Sequence, residues 1–418
     1  RVLFRSYDLK VNHAAAEVMH AIETFDVRIA GEPTGVFANT PICNQTTFEP
    51  EVYKFPPEGL DMMSDKHNAH PRDVHIKFYA ETHTYLVKGL KTNGSATALV
   101  GSIHDPFDTE YQLHRMTTNP QFPKPTHLEK HLDVDAAIDA LTRNHPSAVE
   151  LITCLSNIKA SSSTPSEHHV HIYQLSQLCN GASAGILDDL GMSKDKLRTR
   201  WARNGESKAN EGNWSHFMFE CYLNKEPIPR EFFSTIEMHT FLKFIRTYAL
   251  RHGLKLYRTE WCIYSEPEDM AGMIDGAFKN KAGNIVLIDW KRTKEMKAAK
   301  ANRYRKFCNP PFQHIPDTKT GHYTMQLNVY RFILERYYNV VVDDMIVMGV
   351  HPDNEGEPFI FHAPRLELET EVLFHQHRKA STETIDLRMN SLVDQLHQKS
   401  TPAGSKRQAP DDNDYSWL

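Results

Sequence analysis

The sequence predicts an α/β fold in which a mixed central β-sheet is flanked by helices. Segments of helical and extended hydrophobic periodicity follow one another as helix-helix-strand-strand-strand-helix-strand over about 190 residues, an ordinary domain size. One predicted strand opens with the apolar run Ile285-Val286-Leu287-Ile288. Such a run is typical of a central strand buried on both faces, so we expect helices to cover both sides of the sheet.

The predicted core spans residues 195–396. Helices are assigned where large apolar residues recur at helical spacing, and strands where short apolar runs are bounded by turn residues. In chain order, the predicted elements are helices Ala209–Leu223 and Arg230–His252, strands Leu254–Tyr264, Met270–Lys279 and Ile285–Lys291, helix Tyr323–Tyr337, strands Val340–Val350 and Glu357–His362, and a long helix Leu366–Leu396.

Three further regions surround this core. Residues 1–70 are rich in proline and turn residues and are predicted to form an N-terminal extension whose structure the sequence determines poorly. Residues 71–194 are predicted to be an accessory region with helices and a β-hairpin that turns at Glu81-Thr82. Residues 397–418 are rich in Pro, Ser, Asp and Gln and are predicted to be a disordered tail.

Composition limits the classes of function. The net charge of −5 excludes a uniformly basic coat for nucleic acid, so any such binding must come from a local patch. The six cysteines are scattered without a C-x-x-C pair, which argues against a disulfide framework and favours a reducing environment. No stretch has the length and apolarity of a membrane span, and the start is not a signal peptide. We therefore expect no membrane partner and an intracellular location, nucleus or cytoplasm, in a chain that begins at Arg1 as a fragment or processed product.

The chemically most informative residues are Asp275, Asp289 and Lys291. Each Asp stands at the end of an apolar run, and the polar, glycine-containing turn Lys279–Asn284 separates the two runs. An antiparallel hairpin would bring the two carboxylates together, with Lys291 on the same sheet face as Asp289. Two carboxylates and one ammonium suit the binding of a divalent metal beside a phosphodiester.

Other polar residues stand at spacings that fit this chemistry. His216 and Glu220 lie four residues apart in a predicted helix, as do Gln326 and Tyr330 in another. Glu260 is an acidic residue inside an otherwise largely apolar strand. Taken singly, the His216–Glu220 spacing fits a solvated pair equally well, and the Gln326–Tyr330 spacing is common and usually structural.

Taken in order, these residues resemble the PD-(D/E)XK nuclease superfamily, and within it the RecB-like exonuclease branch. That branch has the pattern G-x-x-x-H, G-x-x-D, D-x-K and Q-x-x-x-Y, which this chain matches at Gly212–His216, Gly272–Asp275, Asp289–Lys291 and Gln326–Tyr330. The resemblance implies a restriction-endonuclease-like core and a metal-dependent deoxyribonuclease of the exonuclease type. Two alternatives stay open: a degenerate nuclease fold that binds DNA without cutting it, and an RNase or structure-specific endonuclease.

The resemblance also implies roles for single residues. His216, Asp275 and Asp289, with the carbonyl of Trp290, would ligate Mg²⁺ or Mn²⁺, and Lys291 would be the catalytic lysine. Gln326 and Tyr330 would position the DNA strand and the lysine, and Glu260 would be a supporting acidic residue. Some relatives carry an iron–sulfur cluster on one cysteine before the core and three after it. Only Cys308 follows the catalytic strands here, so we expect no cluster.

A basic segment follows the Asp-x-Lys motif. In a chain that is acidic overall, such a segment beside the proposed metal site favours a polyanionic partner, and an interleaved aromatic ring can stack on unpaired bases. The residues predicted to contact nucleic acid are Arg292, Lys294, Lys297, Lys300, Arg303, Tyr304, Arg305 and Lys306. The expected partner is DNA, single- or double-stranded, and the sequence identifies no protein partner.

Overall fold

A computed structural model describes residues 68–80, 82–92, 94–224, 235–293, 305–354, 356–378 and 393–396. The chain divides into two compact units, one formed by Pro106–Lys208 and the other by the segments on either side of it. The domain boundaries predicted from the sequence stay predictions, and most of the predicted N-terminal extension and all of the predicted tail lie outside the described residues.

The predicted N-terminal hairpin is confirmed as part of a small antiparallel sheet. Strands β1 (Ile76–Tyr79), β2 (Thr84–Val87) and β3 (Leu90–Lys91) pair in that order. Strand β4 (Gly94–Ser95) then joins the main sheet, and helix α1 (Ala96–Gly101) follows it directly. The Ser95 hydroxyl accepts a hydrogen bond from the Ala98 N–H at 3.2 Å, which satisfies an otherwise unpaired donor and starts the helix at Ala96.

The unit Pro106–Lys208 is helical. Its helices are α2 (Thr109–Thr117), α3 (Pro125–His131), α4 (Val134–Asn144), α5 (Val149–Ala160), α6 (Pro165–Leu178), α7 (Ala184–Asp189) and the first half of α8 (Lys194–Leu223). A leucine-rich core holds these helices together, with Leu113, Leu128, Leu141, Leu155 and Leu175 fully buried. No helix in the described parts of the chain is long and apolar enough to cross a membrane.

The other unit is an α/β structure with a mixed sheet flanked by helices. After α8 its elements are α9 (Ile236–Phe244), β5 (Lys255–Ser265), β6 (Met270–Lys279), β7 (Ile285–Lys291), α10 (Lys319–Tyr337), β8 (Val342–Gly349), β9 (Phe359–His362) and α11 (Glu367–His377). Strands β5, β6 and β7 are antiparallel neighbours, β8 runs parallel to β7, and β9 is antiparallel to β8. The three consecutive strands predicted from the sequence are confirmed to within one residue.

Strand β7 is central, and the prediction that it is buried on both faces is confirmed. Ile285 and Leu287 pack into one apolar cluster together with α1, α10 and α11. Val286, Ile288 and Trp290 point the other way, into a second cluster formed with α8 and α9. Because strand side chains alternate, Asp289 and Lys291 lie on the face that α10 covers.

Two predicted helices have different bounds in the structure. The helix predicted at Arg230–His252 begins at Ile236, where the Thr235 hydroxyl caps it, and it widens into a π-helical turn at Ile245–Ala249. The helix predicted to run from Leu366 to Leu396 was wrong in its length, since it ends at His377. Arg378 leaves the helical conformation, and its guanidinium donates a hydrogen bond to the buried Glu268 carboxylate at 2.6 Å. Because Arg378 and Glu268 are far apart in the chain, the local hydrophobic periodicity could not predict this ion pair.

The packing of Tyr330 on β6 yields a stability prediction. A Cβ at Gly272 would lie 2.6 Å from the Tyr330 Cε1 atom and 3.1 Å from the Ala96 Cβ atom, so Gly272→Ala must displace the ring. We expect a loss of about 1–3 kcal/mol in the free energy of unfolding, measured in urea. Gly205→Ala is the matched control, since it meets no neighbour within 4 Å in helix α8 and is expected to stabilise by up to about 1 kcal/mol. Equal stability of Gly272→Ala and the parent chain would contradict the packing.

Candidate active site

Asp275 lies where β6 and β7 cease to pair with each other. The last paired residues are Gly276 and Ile288, which confirms the hairpin predicted from the sequence. Beyond this pair, the Trp290 N–H donates a hydrogen bond to the Asp275 carboxylate, with a Trp290 N to Asp275 Oδ2 distance of 2.9 Å. A side-chain carboxylate therefore replaces a strand partner and is held at the point where the strands separate.

Asp289 and Lys291 form an ion pair one strand away. The distance from Lys291 Nζ to Asp289 Oδ2 is 2.8 Å, and only 2% of Asp289 is exposed to solvent. The Lys291 ammonium also lies 5.2 Å from the centre of the Tyr323 ring on α10, which is within the range of a cation–π contact. The lysine is thus fixed between a buried carboxylate and an aromatic ring.

Glu260 enters the same site from β5. Its neighbours Thr259 and Trp261 pair with Gly276 and Ile274, so the register places Glu260 opposite Asp275. Its φ angle is +42°, which lies in the left-handed region that non-glycine residues rarely adopt inside a strand. Such a conformation is strained by roughly 1–3 kcal/mol, and strained positions concentrate at functional sites.

His216 reaches the carboxylates from helix α8. Its Nδ1 atom lies 3.5 Å from Asp275 Oδ2. One ligand atom each of His216, Glu260 and Asp275 lies within 4.8 Å of the others, close enough to share one metal ion. The predicted ligand set named Asp289 and Trp290 rather than Glu260, and it stays a prediction.

Burial perturbs the acid–base properties of the whole group. It raises the pKa of Asp289 to about 6 even though the Lys291 ammonium opposes it, and it also raises the pKa of Asp275. Burial, reinforced by the charges of Asp275 and Glu220, raises the pKa of Glu260. Burial and the nearby Lys291 ammonium lower the pKa of His216 to about 4, which keeps the imidazole neutral and able to bind a metal.

The pKa of Lys291 is also raised, and for a lysine a raised pKa favours the charged form. Burial acts to lower the pKa of Lys291, but the Asp289 and Asp275 carboxylates outweigh it and raise that pKa above its ordinary value. Lys291 is therefore a cation at neutral pH. When ionised, the carboxylates of Glu260, Asp275 and Asp289 outnumber this one ammonium by two charges, and buried charge of this kind is costly unless protonation or a bound cation neutralises it.

Two tyrosines complete the face of the site that α10 covers. The Gln326 side-chain amide donates a hydrogen bond to the Tyr330 hydroxyl at 2.8 Å, which joins the two residues that the sequence singled out. Sequence reasoning missed Tyr85 of β2, which is 4% exposed and whose pKa is affected by the charges of the site. Burial raises its pKa, and the charges of Glu260 and Asp275 contribute to the rise. Strand alternation in the hairpin could have placed Tyr85 inward, but no local signal links it to residues so distant in the chain.

The residues predicted to contact nucleic acid separate into three groups. The prediction that Arg292 contacts nucleic acid is corrected, because its buried guanidinium forms ion pairs with Glu211 and, at 2.8 Å, with Glu237. Arg305 and Lys306 are exposed. The remaining predicted residues lie outside the described part of the chain: Lys294, Lys297, Lys300, Arg303 and Tyr304. Arg292 therefore serves the packing of α8 and α9 against β7 rather than an exposed surface.

Comparison with known proteins assigns no family to this arrangement. No family model matches the chain, and no curated protein matches it. The chemistry of the site therefore has to follow from its own residues.

The raised pKa of Asp289 predicts that the free energy of unfolding of the metal-free protein falls as pH rises. Because the folded pKa of about 6 exceeds the ordinary value of 3.8, the native state retains a proton that the unfolded chain has lost. This contribution to stability is complete below 3.8 and is lost as pH rises through about 6. Relative to the parent chain in EDTA, Asp289→Asn should gain roughly 1–3 kcal/mol of unfolding free energy across that window.

The measurement is urea unfolding of both proteins at a series of pH values, because titrating groups that do not interact with Asp289 cancel in their difference. Saturating Mg²⁺ should abolish the advantage of the variant, since a bound cation stabilises the ionised carboxylate. A constant difference in stability across the pH range would show that Asp289 is not buried as described.

Proposed function

We propose that this chain is a metal-dependent nuclease with a restriction-endonuclease-like core, and that it hydrolyses phosphodiester bonds of DNA as an exonuclease. The observation that carries the proposal is the buried group of Glu260, Asp275, Asp289 and Lys291, with His216 beside it. Three acids and one lysine converge from three adjacent strands of one sheet. Their excess negative charge is costly to bury in a site that does not bind a cation.

The donor set fits Mg²⁺ or Mn²⁺. Carboxylate oxygens are the ligands that these hard cations prefer, and Mn²⁺ also accepts an imidazole nitrogen. His216, Glu260 and Asp275 would hold the ion, and Asp289 and the Trp290 carbonyl would contribute from β7. A divalent cation bound there would lower the pKa of a water molecule and neutralise charge that develops on the phosphate.

The remaining residues act on the substrate through charge and position. The neighbouring carboxylates raise the pKa of Lys291, and as an ammonium it would stabilise the developing negative charge of the pentacoordinate phosphate. Gln326 and Tyr330 are joined to each other, and burial raises the pKa of Tyr330, which keeps the phenol a neutral donor. They orient the strand without adding charge to the site. Exposed Arg305 and Lys306 would attract the phosphate backbone.

The first test is cleavage of end-labelled single-stranded DNA, double-stranded DNA and RNA in Mg²⁺, Mn²⁺ or EDTA. We expect metal-dependent release of nucleotides from DNA ends. Asp289→Asn and Lys291→Gln should each slow cleavage by about 100-fold or more, because each removes charge that acts on the transition state. Asp344→Asn is the matched control, since Asp344 pairs with His362 at the surface, and its rate should be unchanged.

The other possible results of this cleavage assay would each favour a different function. Metal-dependent binding of DNA without cleavage would favour a degenerate nuclease fold that only binds. Cleavage confined to RNA, or internal cuts at DNA junctions, would favour the RNase or structure-specific endonuclease. Cleavage that survives in Asp289→Asn would overturn the site itself.

A metal titration separates a metal ligand from the catalytic lysine. Glu260→Gln should raise the Mg²⁺ concentration for half-maximal cleavage by about 10-fold or more and should recover at high Mg²⁺, because it weakens metal binding. Lys291→Gln should stay slow at every Mg²⁺ concentration, because the missing charge acts on the phosphate. Identical titration curves for the two variants would contradict the assignment of Glu260 as a ligand.

A further inference from the structure

The small sheet of β1, β2 and β3 has one face that points away from the core. Strand side chains alternate between the two faces of a sheet, and cross-strand partners share a face. Lys77 of β1 pairs with Leu86 of β2, and Leu86 pairs in turn with Lys91 of β3. Both lysines are exposed, and the leucine between them is half-buried. The outer face of the small sheet therefore carries a row in which two lysines flank an apolar side chain.

Tyr79 adds an aromatic ring to the same face. It lies two residues after Lys77 on β1 and pairs with Thr84 of β2, so its side chain points in the same direction as that of Lys77. The tyrosine is 46% exposed, which leaves much of a large ring in contact with solvent. Lys77, Tyr79, Leu86 and Lys91 together form the outer hairpin face.

The charge of this face is positive among the residues that the structure describes. The three strands contain no acidic residue. Within the described ranges, neither Lys77 nor Lys91 forms an ion pair, whereas Lys88, between β2 and β3, pairs with Glu266 at 2.7 Å. In a chain with a net charge of −5, two such lysines on one small face favour an anionic partner.

The opposite face of the same sheet reaches the acidic site. Phe78 and Tyr85 are cross-strand partners there, with 4.7 Å between their ring centres, and Tyr85 is buried. The charges of Glu260 and Asp275 contribute to the raised pKa of Tyr85, which indicates that its phenol lies near these carboxylates. The outer hairpin face therefore lies on the other side of one strand layer from the acidic site.

The hairpin is held in this position by contacts to β5, the strand that carries Glu260. Arg72, which precedes β1, donates a hydrogen bond to the Tyr264 carbonyl at 3.0 Å, and its guanidinium lies 4.0 Å from the centre of the Tyr264 ring. Arg258 of β5 forms an ion pair with Asp73. A molecule bound to the outer hairpin face would therefore be held at a fixed position relative to the acidic site.

A competing account explains the two lysines without a partner. Lys77 and Lys91 lie on the two edge strands of the small sheet, and lysines on edge strands hinder pairing with another chain. That account does not explain the exposed Tyr79 and the leucine between the lysines, because exposed apolar side chains make a face more adhesive. A strand whose phosphates contact the lysines and whose bases contact Tyr79 and Leu86 would use all four side chains.

We propose that the outer hairpin face binds a single-stranded stretch of the DNA substrate, with Lys77 and Lys91 on phosphates and Tyr79 stacked on an unpaired base. Positive side chains beside an aromatic ring are the means by which proteins hold single strands. With neighbouring strands about 4.8 Å apart, the two lysine backbones are about 10 Å apart, or about three nucleotide steps of about 3.4 Å. The proposal rests on the proposed function, because it assigns this face to the substrate of the acidic site.

The test is the salt dependence of binding to fluorescein-labelled oligothymidylate of about 20 nucleotides, measured by fluorescence anisotropy in EDTA to prevent metal-dependent cleavage. For each phosphate contact that is lost, the slope of log K against log salt should become shallower by about 0.7. Lys77→Gln and Lys91→Gln should each show this change, and the double variant about twice as much. Lys159→Gln is the matched control, since Lys159 is an exposed lysine of the helical unit, and its slope should equal that of the parent chain.

Tyr79→Ala tests the stacking contact separately from charge. It should weaken binding by about 5-fold or more and leave the salt slope unchanged, because it removes a ring and no charge. Tyr79→Trp should retain the affinity of the parent chain, since an indole also stacks on a base. This rescue separates lost stacking from lost folding. Blunt double-stranded DNA should compete weakly, because its bases are paired.

These measurements distinguish the binding surface from the nuclease function. Salt slopes equal to that of the parent chain in both lysine variants, or equal affinity for single-stranded and blunt double-stranded DNA, would overturn the proposed surface even if the chain cuts DNA. A parent chain that does not bind the oligothymidylate would also overturn it. Shallower slopes in a chain that never cuts DNA would support the surface and contradict the proposed function.

Discussion

The constraint on which the rest of the structure depends is the burial of ionisable groups at the end of a central strand. Strand β7 is covered on both faces, and its last residues include Asp289 and Lys291. Burying charged side chains at the end of an apolar strand carries a large desolvation penalty. The Lys291–Asp289 ion pair at 2.8 Å offsets part of it, and the neighbouring Glu260 and Asp275 increase it again. Under the proposed function, a cation bound by the same charges would offset this cost.

The parts of this architecture that sequence could predict are those that local patterns encode. The apolar run before Asp289, the polar turn after β6 and the alternation in the N-terminal hairpin predicted strands β1, β2, β6 and β7 and the approach of Asp275 to β7. Contacts between residues distant in the chain were not predictable. The end of α11 follows from the pairing of Arg378 with Glu268, and the burial of Arg292 follows from Glu211 and Glu237. In both cases the glutamate partners lie far from the arginine in the sequence.

The same limit applies to functional residues. The four-residue spacing of Gln326 and Tyr330 predicted their contact, because a helix places such residues side by side. Glu260 could be singled out as an acidic residue in a strand, but its left-handed backbone and its position opposite Asp275 required the register of β5. The contact of His104 with Asp317 joins residues 213 positions apart in the chain, so no local pattern predicts it.

Helix α10 carries Gln326 and Tyr330, which a hydrogen bond joins beside the acidic site. The central claim is that the acidic site binds one hard divalent cation, and the most direct measurement is a crystal structure with MnCl₂ analysed by manganese anomalous scattering. The account predicts an anomalous peak bounded by His216, Glu260, Asp275 and Asp289. A map with no peak among these four residues, at a Mn²⁺ concentration that saturates binding in solution, would contradict it.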